Sequence, residues 1–402
     1  MKILFFTHTF PYPLAEGIKL MAFNLIKELS ARHEIHLFSL LEKDTDTIYI
    51  PELLKYCKTV QTSYKKLPKS AFLRLWNMYF QNIPYNINQF YAQEAFDKLH
   101  DIIKKERFDL VHFNFFTTSG YRKAVPEGIP AVLCNYDAMS LHFLRNKKRE
   151  RNLFKKIYLS KQWKKIAKYE KQIISRFDKT VVVSSVDKDW LCALFAGSGQ
   201  QADITVIPIG VDTGYFTPQE APKDNPSLIF RGIMDFKPNT DAIIHFYKNI
   251  FPLIKKKLPD IRLYIVGKNP INKIKSFATD KSVTVTGYVE DIRPYIAKAT
   301  VNICPMRIGT GMKFKIIESM AMGIPTVATN FACAGIEEIK NGENILVADS
   351  PADFSKTVVN LIQDKPLIEK ISRNGLEIIR KNYSWPIIAS KFETLYKETL
   401  RA

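Results

Sequence analysis

The sequence predicts an α/β protein made of two doubly wound parallel-sheet domains in tandem. Three observations carry that expectation: short apolar runs alternate with amphipathic stretches, the alternation breaks off and restarts once, and 402 residues at 46% hydrophobic content suffice for two cores. The first series of predicted strands is Ile3-Leu4-Phe5-Phe6 and residues 35–40, 110–113, 131–134, 180–183 and 204–207. The second is residues 227–230, 262–266, 283–285, 301–304, 326–328 and 345–347. Between the two series, Ile207-Pro208-Ile209-Gly210-Val211-Asp212 interrupts the periodicity with proline and glycine, so residues 1–207 and 208–384 are expected as separate Rossmann-like domains. The last amphipathic stretch, residues 385–402, has no strand after it and can pack on either domain. Open parallel sheets take ligands at the carboxyl ends of their strands, so two sheets facing across a cleft would offer loops from both sides.

No run of about 18 apolar residues is present to span a bilayer, and the short strand after Met1-Lys2 differs from a secretory leader. A cytoplasmic protein is expected. The five cysteines (Cys57, Cys134, Cys192, Cys304, Cys333) are scattered and odd in number, which argues against disulfides and structural zinc and for small apolar fillers. The net charge of +19 favours an anionic partner. Through Thr205 there are 32 basic against 20 acidic residues, and residues 145–176 alone hold thirteen basic residues against Glu150 and Glu170.

The segment from Pro305 to Pro325 is the most informative. It joins a predicted strand to a helix through Gly309-Thr310-Gly311, where backbone amides and a helix N-terminus attract phosphate. Arg307 and Lys313 add positive charge. Glu318, expected about two turns into the helix, presents a carboxylate that can accept hydrogen bonds from vicinal hydroxyls such as those of a ribose. Gly-x-Gly alone is weak evidence, and the combination with two cations and the glutamate is what favours a nucleotide site over a plain capped helix.

This segment resembles the donor-binding signature of the retaining glycosyltransferases of family 4, which have the GT-B fold. It is most similar to the branch of exopolysaccharide-cluster sugar transferases, with the pattern Arg-x-Gly-Thr-Gly-x-Lys-x-Lys-x-x-Glu-x-Met-Ala-x-Gly. The resemblance extends to the opening strand and loop as far as Gly17, Asp137-Ala138-Met139-Ser140-Leu141, the run from Phe177-Asp178 to Ser184, the linker through Asp212, Gly287-Tyr288-Val289-Glu290-Asp291, Arg293-Pro294-Tyr295 and Tyr383-Ser384-Trp385. It implies a metal-independent, retaining sugar transferase without a cofactor. Its donor substrate would be a nucleotide-diphosphate sugar, with Glu318 on the ribose, Arg307 and Lys313 on the diphosphate, and the Gly309, Thr310 and Gly311 amides on phosphate or sugar oxygens. Lys315 also fits the branch pattern, and either touches the ligand or lies on a solvated face. The loop from Thr7 to Gly17, with Lys19 just inside the next helix, would approach the donor phosphates from the other domain; a plain strand-to-helix turn would use the same glycine. The chain departs from the broader family at two places. Thr310 stands where a second glutamate is usual, and Asn135-Tyr136-Asp137 stands where many members carry a histidine.

Asp137 is therefore the N-domain candidate at the reacting centre, either to orient or deprotonate the acceptor hydroxyl, to stabilise the positive charge developing on the sugar ring, or merely to cap the following helix. His8 and Tyr12 can line the cleft without being distinctive. His112, with no paired carboxylate, is expected in the core, and Asp44-Thr45-Asp46 and Asp187-Lys188-Asp189 are expected as solvated acids rather than a metal site. A dehydrogenase is disfavoured because His8-Thr9-Phe10-Pro11-Tyr12-Pro13 replaces a Gly-x-Gly-x-x-Gly loop. A nucleic-acid-binding protein would explain the charge but leave the segment from Arg307 to Glu318 without purpose. A GT-B epimerase or phosphorylase is the nearest enzymatic rival. The mixture of Lys147, Lys148, Lys155 and Lys156 with Phe154, Ile157, Tyr158, Leu159, Trp163, Ile166, Tyr169, Ile173 and Ile174 resembles an interfacial helix. A second cluster runs from Lys65 to Trp76. These features predict peripheral attachment to the anionic inner face of the cytoplasmic membrane and a lipid-linked or oligosaccharide acceptor, with no nucleic acid; the plainer alternative is a core helix with one solvated basic face.

Overall fold

A computed structural model describes residues 1–14, 17–42, 44–65, 83–197, 199, 202–221, 226–309 and 311–401. It divides into two compact units, one of Met1–Pro208 with Ile388–Ala402 and one of Ile209–Ile387.

The first unit holds a seven-stranded sheet of β1 (Lys2–Thr7), β2 (Glu34–Leu41), β3 (Thr59–Tyr64), β4 (Leu110–Asn114), β5 (Ala131–Tyr136), β6 (Lys179–Val182) and β7 (Ile204–Val206). Every pairing is parallel, and the order is β3-β2-β1-β4-β5-β6-β7. The central strands are buried along nearly their whole length, as expected when helices cover both faces. At the edge, β3 has the composition Thr-Val-Gln-Thr-Ser-Tyr and lacks an apolar run, which is why the sequence pattern does not predict it.

The second unit carries a six-stranded parallel sheet of β8 (Ser227–Arg231), β9 (Arg262–Val266), β10 (Val283–Gly287), β11 (Val301–Cys304), β12 (Thr326–Ala328) and β13 (Leu346–Val347), in the order β10-β9-β8-β11-β12-β13. The strand order reverses between β1 and β4 in one sheet and between β8 and β11 in the other. Such switch points leave a crevice beyond the carboxyl ends of the two strands. The linker hydrogen-bonds within the second unit, Val211 N donating to Tyr383 O at 2.7 Å. Gly210 there lies flat on Trp385, where a Cβ would come within 2.5 Å of the indole.

The final helix, Trp385–Thr399, starts in the second unit and from Ile388 onward belongs to the first. Ile388, Ala389, Phe392, Leu395 and Tyr396 are buried. His112, fully buried on β4, is stacked on Phe5 at 4.1 Å and joined to Tyr396 Oη through Nδ1 at 2.7 Å, so it is a core histidine. Four of the five cysteines are buried; Cys192 is exposed and so is not a core filler.

Removing the hydroxyl of Tyr396 leaves a buried imidazole nitrogen unpaired, so Tyr396→Phe should cost about 1–3 kcal/mol, read as a lowered thermal midpoint of the full chain. Burial pushes the His112 imidazole down to about 3. Between its ordinary value of 6.5 and about 3 the unfolded chain binds a proton that the folded one refuses. That contribution to stability is present above pH 6.5 and should be lost progressively as pH falls toward 3.

Candidate functional site

In the second unit the motif segment leaves β11 at the β8/β11 switch point. Gly309 and Gly311 have φ of 120° and 65°, a region that side chains with a Cβ seldom enter. Thr310 lies outside the described residues. The helix begins only at Phe314 and ends at Ala321, with Lys313 as its N-cap residue. The glycine turn therefore precedes the helix, and Glu318 sits about one turn into it rather than two.

Arg231, the last residue of β8, anchors this helix to the sheet. Its guanidinium is buried, pairs with Glu318 Oε2, and donates to Lys315 O at 2.7 Å and Ser319 Oγ at 3.2 Å. Nothing local in the sequence marks Arg231 as a site residue, since it ends an apolar strand more than eighty residues before the helix it holds.

Lys315 as a whole is half-buried, but its ammonium is enclosed. Nζ donates to Asn239 Oδ1 at 2.7 Å, lies 4.4 Å from the Phe230 ring centre and 4.0 Å from Met306 Sδ. Loss of hydration lowers its pKa to about 8, with Arg231 and Lys313 pushing the same way against Cys304 and Glu318. Lys315 thus turns inward, toward the other charges. Lys313 is buried too, its Nζ donating to Gly311 O at 2.6 Å and lying 5.6 Å from the Phe331 ring. Arg307 is held in a forked pair with Asp241 on the helix Lys237–Asn249, with contacts of 2.7 and 3.1 Å and 46% of its side chain exposed. Glu318, Lys313 and Lys315 converge, while the charge of Arg307 is shared with a carboxylate.

The other candidates belong to the first unit. Gly17 opens the helix Gly17–Ser30, and Lys19 follows two residues later, half-buried. His8 stands at the β1/β4 switch point, stacked on Phe115 at 5.0 Å and edge-on to Phe90 at 5.1 Å. Burial and then Lys65 push its pKa down to about 3. Backbone outliers cluster beside it, with φ of 90° at Phe115 and 56° at Tyr136, and the β5 register shifts between Cys134 and Tyr136. Asp137 follows, half-buried; the N-cap of the next helix, Met139–Arg149, falls on Ala138 rather than on Asp137. Asp187 is buried, not solvated, and accepts from Ala138 N at 3.0 Å; Asp189 is exposed. The side chains of Asp44 and Thr45 lie outside the described residues, and among the described residues no group of acids, histidines and cysteines is arranged to hold a metal.

The basic stretch forms two helices, Met139–Arg149 and Leu153–Ile174. The longer one buries Ile166, Glu170, Ile173 and Ile174, so much of its apolar content serves the core. Its first turns expose Leu153 (68%), Phe154 (84%) and Ile157 (50%) among exposed Lys155 and Lys156. Lys148 is exposed, whereas Lys147 lies over the Trp163 ring at 5.0 Å. In the second cluster Lys65 is buried against Glu42, and residues 66–82 lie outside the described residues. Among the described residues no helix is long and apolar enough to cross a membrane.

Two family models match the chain: Glycosyltransferase Family 4 over residues 15–215, and Glycosyl transferases group 1 over residues 225–364. An uncharacterized 44.6 kDa protein in the cps region of Klebsiella pneumoniae is 21% identical over 99% of both chains. The Escherichia coli UDP-Gal:alpha-D-GlcNAc-diphosphoundecaprenol alpha-1,3-galactosyltransferase is 24% identical over 74% of this chain and 75% of its own. Among solved structures, Anabaena HepE in complex with UDP-glucose superposes with a TM-score of 0.66 at 16% identity, covering 99% of this chain and all of the other.

The two arginine–carboxylate pairs should differ in weight. Arg231→Leu strands Glu318 beside a buried strand end and should cost about 3–5 kcal/mol. Arg307→Ala breaks an exposed pair and should cost under about 1 kcal/mol. Thermal unfolding of both variants against the parent chain checks the ranking.

Proposed function

The chain belongs to glycosyltransferase family 4 and has the GT-B fold, and from that premise we propose that it transfers a hexosyl group from a nucleotide-diphosphate sugar to a lipid-linked glycan, with retention of anomeric configuration and without a metal. Glycosyl transfer in polysaccharide or glycoconjugate synthesis follows from the family; donor, acceptor and stereochemistry are the proposed part. The observation that carries it is the convergence of Glu318, Lys313 and Lys315 beside the Gly309 and Gly311 turn at the β8/β11 switch point. Glu318, held through Oε2 by Arg231, receives a ribose hydroxyl on its other oxygen. The two ammonium groups face the diphosphate. As the bond between the anomeric carbon and the β-phosphate oxygen breaks, the charge left on that oxygen meets fixed cations in a poorly hydrated pocket, which stabilises the transition state more than the ground state. The acceptor hydroxyl forms the new bond on the same face and gives its proton to the departing β-phosphate oxygen. Asp137 in the first unit orients that hydroxyl, and Gly17 and Lys19 serve the donor phosphates.

The lipid-linked acceptor is supported by the exposed Leu153, Phe154 and Ile157 with Lys148, Lys155 and Lys156 around them, a composition suited to the anionic inner face of the cytoplasmic membrane. It is also supported by the diphosphoundecaprenol acceptor in the name of the Escherichia coli relative.

Glu318→Gln, Lys313→Ala and Lys315→Met should each weaken UDP or GDP binding, measured by calorimetry, while leaving the protein folded; unchanged affinity in all three removes the motif from the donor site. Because the free Lys315 ammonium loses its proton near pH 8, the sign of the pH dependence is fixed. Affinity should be steady below that pH, fall as pH rises above it, and show net proton uptake on binding; Lys315→Met should flatten the profile. In flotation, the protein should co-migrate with vesicles containing anionic lipid at low salt and not with neutral ones. Replacing Lys148, Lys155 and Lys156 by Glu should abolish co-migration with nucleotide affinity unchanged.

A further inference from the structure

Asp137 sits on a backbone turn that is held from outside. The amide of Ala138 donates to Asp187 Oδ1 at 3.0 Å, that of Met139 to Glu170 Oε1 at 2.7 Å, and that of Ser140 to Glu170 Oε2 at 3.1 Å. Three successive amides are thus taken by two buried carboxylates from two different helices, Leu153–Ile174 and Ser185–Phe195. An ordinary helix start is capped by a serine, threonine, asparagine or aspartate at the N-cap position itself. Here the N-cap is Ala138, which makes no side-chain cap, and the acceptors come from residues some thirty to fifty positions later. The arrangement is dear in free energy, since a carboxylate taken out of water must recover its hydration from fixed donors. Just before the turn, Tyr136 has φ of 56° and β5 is irregular between Cys134 and Tyr136. Backbone held in such a conformation persists where the surroundings over-determine it, and does so preferentially at working sites.

The charged group acting on Glu170 across the helix interface is Asp187, which opposes its ionisation. From the helix Met139–Arg149 the facing groups are the Met139 and Ser140 amides and the Ser140 hydroxyl. Ser140 Oγ accepts from Trp190 Nε1 at 2.8 Å, which leaves its own proton for Glu170. The ionised carboxylate therefore matches all three donors, whereas a protonated one gives up an acceptor.

We propose that Glu170, with Asp187, is a positioning residue for transfer: its ionised carboxylate fixes the turn from Ala138 to Ser140 and so sets the orientation of Asp137, and protonation loosens that hold. This rests on the reading of Asp137 as the group at the reacting centre. Burial, with the charge of Asp187 adding, moves the Glu170 carboxyl up to about 7, so the loosening falls near neutral pH.

The test uses the full chain labelled at glutamate carboxyl carbons and backbone nitrogens. The carboxyl signal absent from Glu170→Gln should titrate near pH 7, with the amide signals of Met139 and Ser140 following the same curve. Hydrolysis of UDP-glucose, UDP-galactose and GDP-mannose, in which water takes the sugar and the nucleoside diphosphate released is read, should decline along that curve as pH falls. Glu170→Gln, which mimics the protonated form, should lower turnover at pH 8 on the order of tenfold to a hundredfold, the size expected of a small misplacement. The acid limb should vanish, with the KM for the donor and UDP or GDP affinity within about twofold of the parent. In an Asp137→Ala background the same substitution should change nothing further, whereas a purely structural role would give losses that multiply. Multiplying losses, an acid limb that survives in Glu170→Gln, or amides that ignore the titration would each overturn the proposal. Should Glu170→Gln fail to fold, Asp187→Asn serves in the same cycle, and the wild-type titration decides independently. Failure of every donor to be cleaved together with failure of UDP and GDP to bind would strike the transferase reading instead, and the amide titration would still judge the clamp.

Discussion

The buried guanidinium of Arg231 is the interaction on which the second unit's site depends. It reaches from the end of β8 to the helix Phe314–Ala321 and takes a carboxylate, a backbone carbonyl and a hydroxyl from that one helix. With this cation in place, Glu318 is fixed in orientation, and the helix is pinned at the β8/β11 crevice. Burial first, and then the same charge with that of Lys313, makes the Lys315 ammonium easier to deprotonate. A site that gathers three cations around one carboxylate carries a net positive charge. It is therefore suited to a ligand that brings negative charge of its own.

In the first unit a comparable problem has the opposite sign. Glu170 and Asp187 are buried acids close enough to repel, and their hydration is replaced by backbone N–H groups of one turn. Each unit thus places buried charge around the carboxyl ends of its central strands. One collects cations around a glycine turn, and the other uses carboxylates to fix the shape of a single loop. Elsewhere the two sheets are built alike, from apolar parallel strands whose order reverses once.

The legibility of these features in the sequence depends on where their determinants lie. Buried parallel strands such as Ile3 to Phe6 and residues 301–304 announce themselves because both faces are covered and the apolar run is continuous. The edge strand Thr59–Tyr64 has no such run and leaves no comparable mark. Lys313, Lys315 and Glu318 can be found because they share one short segment with its glycines. Arg231, Asn239 and Asp241 cannot, since they reach that segment only through the fold. Asp187 misleads for a related reason: flanked by Lys188 and Asp189 it has the local composition of a solvated surface, yet it is buried with the Ser184 hydroxyl at the start of its own helix and with the backbone amide of Ala138, which only the fold brings to it. The helix start at Phe314, later than the glycine pattern suggests, reflects the φ values of Gly309 and Gly311, which are incompatible with a helix.

The final helix has a consequence for how the chain is made. Ile388, Phe392 and Tyr396 cover the first sheet, yet they are encoded after the whole of the second unit. Domains commonly fold in the order they leave the ribosome. Here the unit synthesised first must wait, with the apolar surface around His112 uncovered, until the second has been translated. The second unit ends at Ile387, so all of its residues leave the ribosome before the last ones of its predecessor. Between those two moments a nascent chain carries all of one unit and only part of the other, and this is the interval in which a chaperone would find most to hold.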